Sequence, residues 1–259
     1  MPHDDSLRTN IGWSAPDSIT LFGRDFPSEI LGTLNFGDMA FLELTGRPPV
    51  PPESRMFNAM LVTLVEHGLT PSSLVARLTY LGAPEALQAA VAAGLCGLGT
   101  VFVGSIEGAA RMLYEGTQGH VGATNPVIAA AIVDRFEAAH EIIPGIGHPF
   151  HKPIDPRTPR LLELAQETGF AGRYVELVQD VAADAARRKG KPLPVNATGV
   201  LGALCCEMGF DWKICRGLGV MARAVGLVGH ILEETLRPMA RKVWLDTEER
   251  ATRHLRGAE

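Results

Sequence analysis

Apolar residues recur at spacings of three and four along most of the chain, as they do when one face of an α-helix packs against a core. Glycine and proline residues separate these stretches and mark their ends. We expect the longest of them to break at Gly226 or Gly229. The pattern predicts helices over residues 26–46, 55–67, 70–80, 83–98, 125–142, 159–168, 172–189, 200–208 and 213–236, and a last helix after 237.

The N-terminal part has a different pattern. Residues 18–22 alternate between polar and apolar side chains and lie between Pro16 and Gly23, which predicts one or two small strands or an extended arm up to about Arg24. No strand-rich region and no internal repeat follows. The predicted fold class is therefore all-α with a short extended N-terminal arm. We expect a single domain over residues 1–259, with a small lobe at about 145–235 packed on a large helical core.

Composition and charge narrow the functional classes. The chain of 259 residues has a net charge of -5 and no block of like charges, which argues against nucleic acid as the main partner. Residues 1–5 do not resemble a secretory signal and no apolar stretch looks long enough to cross a bilayer, so we expect a cytoplasmic protein without a membrane partner. Four cysteines lack zinc-site spacing, which predicts reduced, mostly buried thiols and no metal site: Cys96, Cys205, Cys206 and Cys215.

The candidate chemistry is concentrated in residues 144–157, where two histidines, a lysine, an aspartate and an arginine stand among prolines and glycines. Asp155 suits the N-cap of the helix that follows, and Pro156 suits its first position. An acid/base imidazole from His148 and a carboxylate-binding guanidinium from Arg157 could then line one pocket. The alternative is a proline-rich connector with solvated charges.

Three strings along the chain resemble motifs of one known family. The string from Gly147 to Arg157 resembles the Gly-His-…-Lys-…-Asp-Pro-Arg motif of the citrate synthase superfamily, in particular its short branch typified by citryl-CoA lyase. Two further strings are similar to family motifs and stand in matching order: His67-Gly68-…-Ser72-Ser73-…-Ala76-Arg77 and Ala222-Arg223-…-Gly226-…-His230-…-Glu233-Glu234. The resemblance extends from about Leu21 to Glu234.

The resemblance implies the all-α citrate synthase fold and a homodimer, or higher homo-oligomer, whose cleft binds an acyl-CoA and a small carboxylate without a permanently bound cofactor. It implies that His148 is the acid/base group at the hydroxyl or keto oxygen and that His67 contacts the substrate. Arg157 and Arg223 correspond to the arginines that grip carboxylates. The implied contacts to coenzyme A are Lys152 and His151.

Arg223 is informative on its own, because it stands in an otherwise apolar run. A buried guanidinium is costly unless it pairs with an anion. The partner is either an internal carboxylate, from Glu233 or Glu234, or a carboxylate of a ligand. The resemblance favours the ligand, and it leaves His230 to form a hydrogen bond inside the helical bundle.

The sequence departs from the family pattern at two catalytic positions. Phe102 stands where the family has the histidine that stabilises the enol, and Thr198 stands where it has the catalytic aspartate. Thr198 cannot act as a carboxylate base and Phe102 cannot donate a hydrogen bond. The substrate contacts implied beside these two positions are Asn196 and Ser105.

Three functions are therefore open. The first is a carbon–carbon lyase that cleaves a β-hydroxy acyl-CoA, or a related β-hydroxy acid, by retro-aldol or retro-Claisen chemistry, with His148 as base and with water, Glu107 or Ser105 protonating the enolate. The second keeps the fold and changes the reaction to thioester hydrolysis or decarboxylation. The third is a non-catalytic ligand-binding paralogue.

Overall fold

The computed structural model describes residues 7–148 and 151–257. Helices dominate this part of the chain, and the only sheet among the described residues is a small one near the N-terminus. The all-α fold class is therefore confirmed, and the small N-terminal sheet does not contradict the predicted extended arm. The chain divides into two compact units, Met1–Ala59 and Met60–Glu259. Neither unit tests the predicted small lobe at about 145–235, which stays a prediction.

The first unit begins with three short antiparallel strands, β1 (Gly12–Ala15), β2 (Ser18–Leu21) and β3 (Arg24–Asp25), in the order β1-β2-β3. A π-helix (Phe26–Ile30) and helix α1 (Phe36–Thr45) follow. The helix predicted over 26–46 is therefore interrupted. Gly32 adopts a φ of 75° in the turn between them, and the Asn35 side chain starts α1 by accepting a hydrogen bond from the backbone N–H of Asp38. Helix α2 (Pro51–Val65) continues into the second unit.

Nine further α-helices are described in the second unit. Eight of them match predicted segments with shifted ends, and the helix over Gly104–Gly119 lies where no helix was predicted. A short 3₁₀ turn, Trp212–Ile214, precedes the helix that begins at Cys215, and another, Arg253–Leu255, follows the helix that ends at Thr252. The nine are α3 (Pro71–Gly82), α4 (Leu87–Cys96), α5 (Gly104–Gly119), α6 (Asn125–Ala138), α7 (Arg157–Thr168), α8 (Arg173–Lys189), α9 (Ala197–Glu207), α10 (Cys215–Leu236) and α11 (Ala240–Thr252).

Helix α10 runs without the break expected at Gly226 or Gly229. Gly226 instead serves close packing, because a Cβ at this position would lie 2.1 Å from the backbone oxygen of Val65. The helix can therefore lie directly against the end of α2. The glycine marks a contact between two backbones, not the end of a helix.

Small residues also bring α5 and α9 together. A Cβ on Gly202 would lie 2.7 Å from the Cβ of Ala109 and 2.8 Å from the backbone nitrogen of Ala110. Gly145 adopts a φ of 82°, and a Cβ there would meet the Cα of Gly199 at 2.4 Å. The loop that carries the candidate chemistry is thus fixed against the first turn of α9, with α5 behind it.

One segment among the described residues, Trp212–Leu236, has the length and apolar composition of a membrane span. This corrects the expectation that no apolar stretch is long enough. Interior helices of globular units share these properties, and 44% of the relevant window is buried within the protein. The segment also carries the buried Arg223, and α10 packs against α3, α4 and α5.

Candidate active site

The first turn of α9 holds the candidate loop in place. Gly147 donates its backbone N–H to the carbonyl of Pro194 over 2.7 Å, and Asn196 donates its backbone N–H to the carbonyl of Gly145 over 2.9 Å. The Asn196 side-chain amide donates to the carbonyl of Gly147. The backbone of Gly145 and Gly147 is thus hydrogen-bonded to residues 194–196, and His148 follows directly after this fixed segment.

Asn196 and Thr198 act together at the start of α9. The side-chain oxygen of Asn196 accepts a hydrogen bond from the backbone N–H of Gly199 at 3.1 Å and another from the hydroxyl of Thr198 at 2.7 Å. Asn196 is thus the N-cap of the helix. The Thr198 hydroxyl is used in this cap, which agrees with the expectation that it cannot replace a carboxylate base.

Asp155 links the start of α7 to the start of α9. Its carboxylate accepts hydrogen bonds from the backbone N–H of Arg157 (3.1 Å), from Nε (3.0 Å) and Nη2 (2.9 Å) of the same arginine, and from the backbone N–H of Ala197 (3.0 Å). Pro156, and not Asp155, occupies the N-cap position of α7, which shifts the predicted helix start by one residue. The shift arises because the Asp155 side chain bonds to Arg157 and to the next helix instead of capping α7 alone.

Burial works to raise the pKa of Asp155, but the hydrogen bonds from Arg157 and Ala197 outweigh it and hold this pKa well below its usual range. A carboxylate with a depressed folded-state pKa contributes stability that is fully present above the unfolded pKa, about 4, and is lost as the pH falls below it. The Asp155 contribution should therefore be present at neutral pH and should fade in acid.

The variant Asp155→Asn should lose more stability, relative to wild type, at about pH 7 than at about pH 3. Urea unfolding at both pH values measures the difference. Asp246→Asn is the matched control, because Asp246 pairs with Lys242 in a solvent-accessible i,i+4 ion pair at 2.7 Å, which should contribute little at either pH. An Asp155→Asn effect of equal size at both pH values would contradict the assignment.

Three histidines from two distant parts of the chain meet at the site. The Nε2 atoms of His67 and His151 lie 3.0 Å apart, and the backbone N–H of His151 donates to Nδ1 of His148 over 2.9 Å. The ring centroids of His148 and His151 are 4.4 Å apart, and those of His67 and His148 are 6.5 Å apart. His151, expected to contact coenzyme A, thus lies between the two histidines expected to act on the substrate.

The contact from His151 fixes the tautomer of His148. A backbone N–H can only donate, so Nδ1 of His148 must present its lone pair. The neutral imidazole of His148 then carries its hydrogen on Nε2. This form suits donation of a hydrogen bond to an oxygen better than the base role expected from the sequence.

Two arginines set the electrostatics of the histidine cluster. Burial, followed by the charges of Arg157, His151 and Arg223, lowers the pKa of His67. Burial and then His151 lower the pKa of His148, with Arg157 acting in the same direction and Asp155 in the opposite one. His67 and His148 are therefore weakly basic imidazoles beside two permanent positive charges, which is an environment suited to an anion.

Arg223 is a buried guanidinium without a close anionic partner among the described residues. Only 7% of the residue is exposed, and its Nη1 lies 3.9 Å from Oε1 of Glu66, too far for a hydrogen bond. Within the described part of the chain, Nε and Nη1 have no hydrogen-bond partner. Burial lowers the pKa of Arg223, Glu66 raises it and Arg157 lowers it further. Because an unpaired buried guanidinium is costly, this position is suited to an anionic ligand.

Glu233 and Glu234, the internal carboxylates considered as partners of Arg223, bind Arg77 instead. Arg77 is 1% exposed and bonds to Glu234 over 3.0 Å, to Glu233, and through Nε to Nδ1 of His230 over 3.2 Å. The alternative that Glu233 or Glu234 neutralises Arg223 is therefore wrong. The i, i+3, i+4 spacing of residues 230, 233 and 234 could have shown that they share one helix face, but not which arginine faces them.

Glu66 is a site residue that sequence reasoning missed. Its carboxylate accepts hydrogen bonds from the backbone N–H of His67 (2.8 Å) and of Gly68 (2.6 Å), and lies 3.1 Å from Nε2 of His230. Because Nδ1 of His230 accepts from Arg77, Nε2 carries the hydrogen and donates to Glu66. Glu66 thereby joins the buried Arg77 network to the turn that presents His67, and the expected interior hydrogen bond of His230 is present.

The remaining predicted residues lie near the start of α5 and in the candidate loop. Phe102 is 46% exposed in the turn before α5, and the Ser105 hydroxyl donates to its carbonyl over 2.6 Å. The same end of α5 passes the candidate loop, since a Cβ on Gly108 would lie 3.2 Å from Pro144. Lys152 is exposed beside His151. The roles assigned to Phe102, Ser105 and Lys152 stay predictions.

No group of three or more histidine, cysteine, aspartate or glutamate side chains is arranged to hold a metal ion within residues 7–148 and 151–257. The four cysteines are free thiols, and two of them, Cys205 and Cys215, are buried. Cys96 is exposed, in contrast to the expectation of mostly buried thiols. Burial raises the pKa of Cys206 to about 12, so this thiol is a poor nucleophile at neutral pH.

Comparison with known proteins identifies the family. Residues 32–242 match the family model described as citrate synthase, C-terminal domain. The chain belongs to the citrate synthase family. This confirms the resemblance drawn from the three motifs, and it confirms the citrate synthase-like fold.

Solved structures and curated relatives agree with this assignment. Citryl-CoA lyase from Hydrogenobacter thermophilus superposes with a TM-score of 0.80 and 34% identity, covering 88% of this chain and 87% of that one. ATP citrate lyase from Methanothrix soehngenii, solved with citrate and coenzyme A, gives a TM-score of 0.73 at 19% identity over 89% of this chain and 39% of that one, which shows the shared fold. Citrate synthase 2 of Bacillus subtilis (strain 168) is 27% identical over 192 residues, which are 74% of this chain and 50% of that protein. The chain thus spans half the length of this curated citrate synthase.

Proposed function

We propose that this citrate synthase family member is a carbon–carbon lyase that cleaves a β-hydroxy acyl-CoA, or a related β-hydroxy acid, by retro-aldol or retro-Claisen chemistry. The observation that carries the proposal is the meeting of His67, His148, Arg157 and Arg223 around one cationic site. The chain is similar to citryl-CoA lyase over nearly the full length of both proteins. This similarity supports cleavage by a lyase over the reactions of citrate synthase and ATP citrate lyase, of which the chain covers only about half or less.

The two arginines would hold the substrate. Nε and Nη1 of Arg223 have no hydrogen-bond partner among the described residues. Arg157 binds Asp155 through Nε and Nη2, so its Nη1 would form the second contact to the substrate. A dicarboxylate between them would satisfy the buried guanidinium and reduce the repulsion between the two charges. Citrate, which one related structure holds together with coenzyme A, has the chemistry that such a site would accept.

His148 would act at the reacting oxygen. Its Nε2–H can donate a hydrogen bond to the β-hydroxyl of the substrate, which becomes a carbonyl when the carbon–carbon bond breaks. The hydroxyl proton passes to a neighbouring imidazole, the electrons of the O–H bond form this carbonyl, and those of the carbon–carbon bond move to the thioester as an enolate. Water gives a proton to the enolate carbon, because Glu107 is ion-paired with Arg216 at 3.1 Å and the Ser105 hydroxyl donates to the carbonyl of Phe102. The exposed Phe102 favours a substrate that is bulkier or less polar than citryl-CoA.

The test is product analysis with a panel that contains citryl-CoA and other β-hydroxy acyl-CoA thioesters. The lyase predicts a shortened acyl-CoA and a carbonyl acid in equal amounts. Free coenzyme A without a shortened thioester would reject the lyase and support a thioester hydrolase. Loss of CO2 with the thioester intact would support a decarboxylase.

A second candidate is a ligand-binding paralogue without turnover. The observation that favours it is the loss of two catalytic groups, since the Thr198 hydroxyl is used in the cap of α9 and Phe102 offers no hydrogen-bond donor. Each such loss typically costs about a hundred-fold to ten-thousand-fold in rate. This candidate predicts that citrate raises the melting temperature while no thioester is converted. The homodimer, the single-domain organisation and the cytoplasmic location stay predictions.

A further inference from the structure

We propose that His67 and His151 form one acid–base unit that holds a single extra proton, and that this unit receives the hydroxyl proton of the substrate. The second half of this inference rests on the proposed lyase function. The first half concerns the protein alone and stands on the 3.0 Å distance between the two Nε2 atoms.

The distance limits how many protons the pair can hold. At 3.0 Å one Nε2 must donate and the other must accept, so one hydrogen lies between them. One extra proton can bind to the outer nitrogen of the donor ring while the N–H···N contact remains, and the contact then becomes charge-assisted. A second extra proton would place two N–H groups face to face. The pair therefore takes up one proton and resists a second.

His148 is less suited to receive the proton. The backbone N–H of His151 occupies its Nδ1, so Nε2 already carries hydrogen in the neutral ring. A proton on Nδ1 would break that contact. His148 can therefore donate to the hydroxyl oxygen while the neighbouring pair, whose nearer ring centroid is 4.4 Å away, accepts the hydrogen.

The surrounding charges make the proton affinity of the His67–His151 pair depend on whether substrate is bound. The charges of Arg157 and Arg223 oppose an extra proton on His67. Carboxylates bound to the two arginines would cancel part of this opposition and raise the proton affinity of the pair. The charged and titratable groups around the pair are Glu66 at the end of α2, His148 and Asp155 in the candidate loop, Arg157 on α7, and Arg223 and His230 on α10.

The proton balance of the cleavage is complete. The substrate O–H bond breaks and its proton moves to the pair, while its electrons form the carbonyl. The carbon–carbon bond breaks and its electrons form the enolate, which takes one proton from water or a side chain at its α-carbon. The pair then returns its proton to solvent, so no net proton is gained or lost.

The first test uses the free protein and needs no substrate. Imidazole nitrogen NMR between about pH 8 and about pH 5 should show His67 and His151 titrating together, with one proton bound between them. The variant His151→Gln, which keeps the backbone N–H that faces His148, should convert His67 to an independent one-proton titration. The exposed His254 offers the control His254→Gln, which should leave the shared transition unchanged. Two independent one-proton transitions in the wild type would overturn the unit.

The second test concerns the reaction. For turnover of citryl-CoA, His151→Gln should lower kcat/KM by about a hundred-fold and displace the acid limb of its pH profile, because protonation of the pair removes the base. An unchanged acid limb would overturn the base assignment while the NMR result stands. If no β-hydroxy acyl-CoA is cleaved, the lyase function and the base assignment fall together, and the NMR titration alone decides whether the pair exists.

Discussion

Replacing His148 by alanine should lower turnover of a β-hydroxy acyl-CoA by about a hundred-fold to ten-thousand-fold and leave the fold intact. The physical reason is that the proposed mechanism needs the Nε2–H of this imidazole at the reacting oxygen, and the loop that carries it is held by Pro194 and Asn196. The side chain is only part-buried, so its removal should change the core little. Steady-state kinetics measure the loss, and thermal unfolding measures the fold.

The control for this variant is His254→Ala, which removes an exposed histidine from the C-terminal 3₁₀ turn and should keep full activity. A second variant, His148→Gln, keeps a hydrogen-bond donor and should retain more activity than alanine. If His148→Ala turns over substrate at the wild-type rate with an unchanged melting temperature, His148 has no role at the oxygen. The lyase mechanism would then need a different acid.

Local patterns were sufficient to predict most of the helices, although not α5, and the residue types of the central loop. Asp155, Pro156 and Arg157 are adjacent, and their residue types alone predicted a helix start with a guanidinium at its entry. Gly226 was interpreted as a helix break for the same local reason. Its function is set by the backbone of Val65, which is distant in sequence, and no local pattern contains that information.

The contacts that complete the site depend on tertiary packing. His67 and His151 are 84 residues apart, and the sequence assigned them to substrate and coenzyme A separately. Glu66 followed the helix that ends at Val65 and had no motif to mark it. The sequence showed that a lone arginine in an apolar helix needs an anion, but the choice between Arg77 and Arg223 as the partner of Glu234 required coordinates.

These two arginines are both buried, and the difference between their surroundings gives opposite expectations for stability. Arg77 is paired with Glu234 at 3.0 Å, and Glu234 in turn accepts the backbone N–H groups of Met239 and Ala240 at the start of α11. Removal of Arg77 would leave an uncompensated buried carboxylate. Arg223 has its nearest carboxylate, Glu66, at 3.9 Å, and Glu66 keeps other partners. Removal of Arg223 would therefore leave no buried charge behind.

Arg223→Met should raise the free energy of unfolding by about 1 kcal/mol or more and should weaken binding of a dicarboxylate such as malate by at least about thirty-fold. The gain is expected because methionine fits the apolar helix without the desolvation cost of an unpaired guanidinium, and the loss is expected because that guanidinium is the proposed buried anion contact. Urea unfolding and calorimetric titration measure the two effects on the same samples.

Arg77→Met is the matched control, and it should lower the free energy of unfolding by about 3–5 kcal/mol because Glu234 stays buried without its partner. Destabilisation by Arg223→Met of similar size would mean that Arg223 has a structural partner, and the argument for a ligand at this position would fail. A stabilised Arg223→Met variant that no longer binds the dicarboxylate would instead show that the chain keeps a costly buried charge for its ligand. Such opposite signs from two arginines in neighbouring helices would separate a structural charge from a functional one.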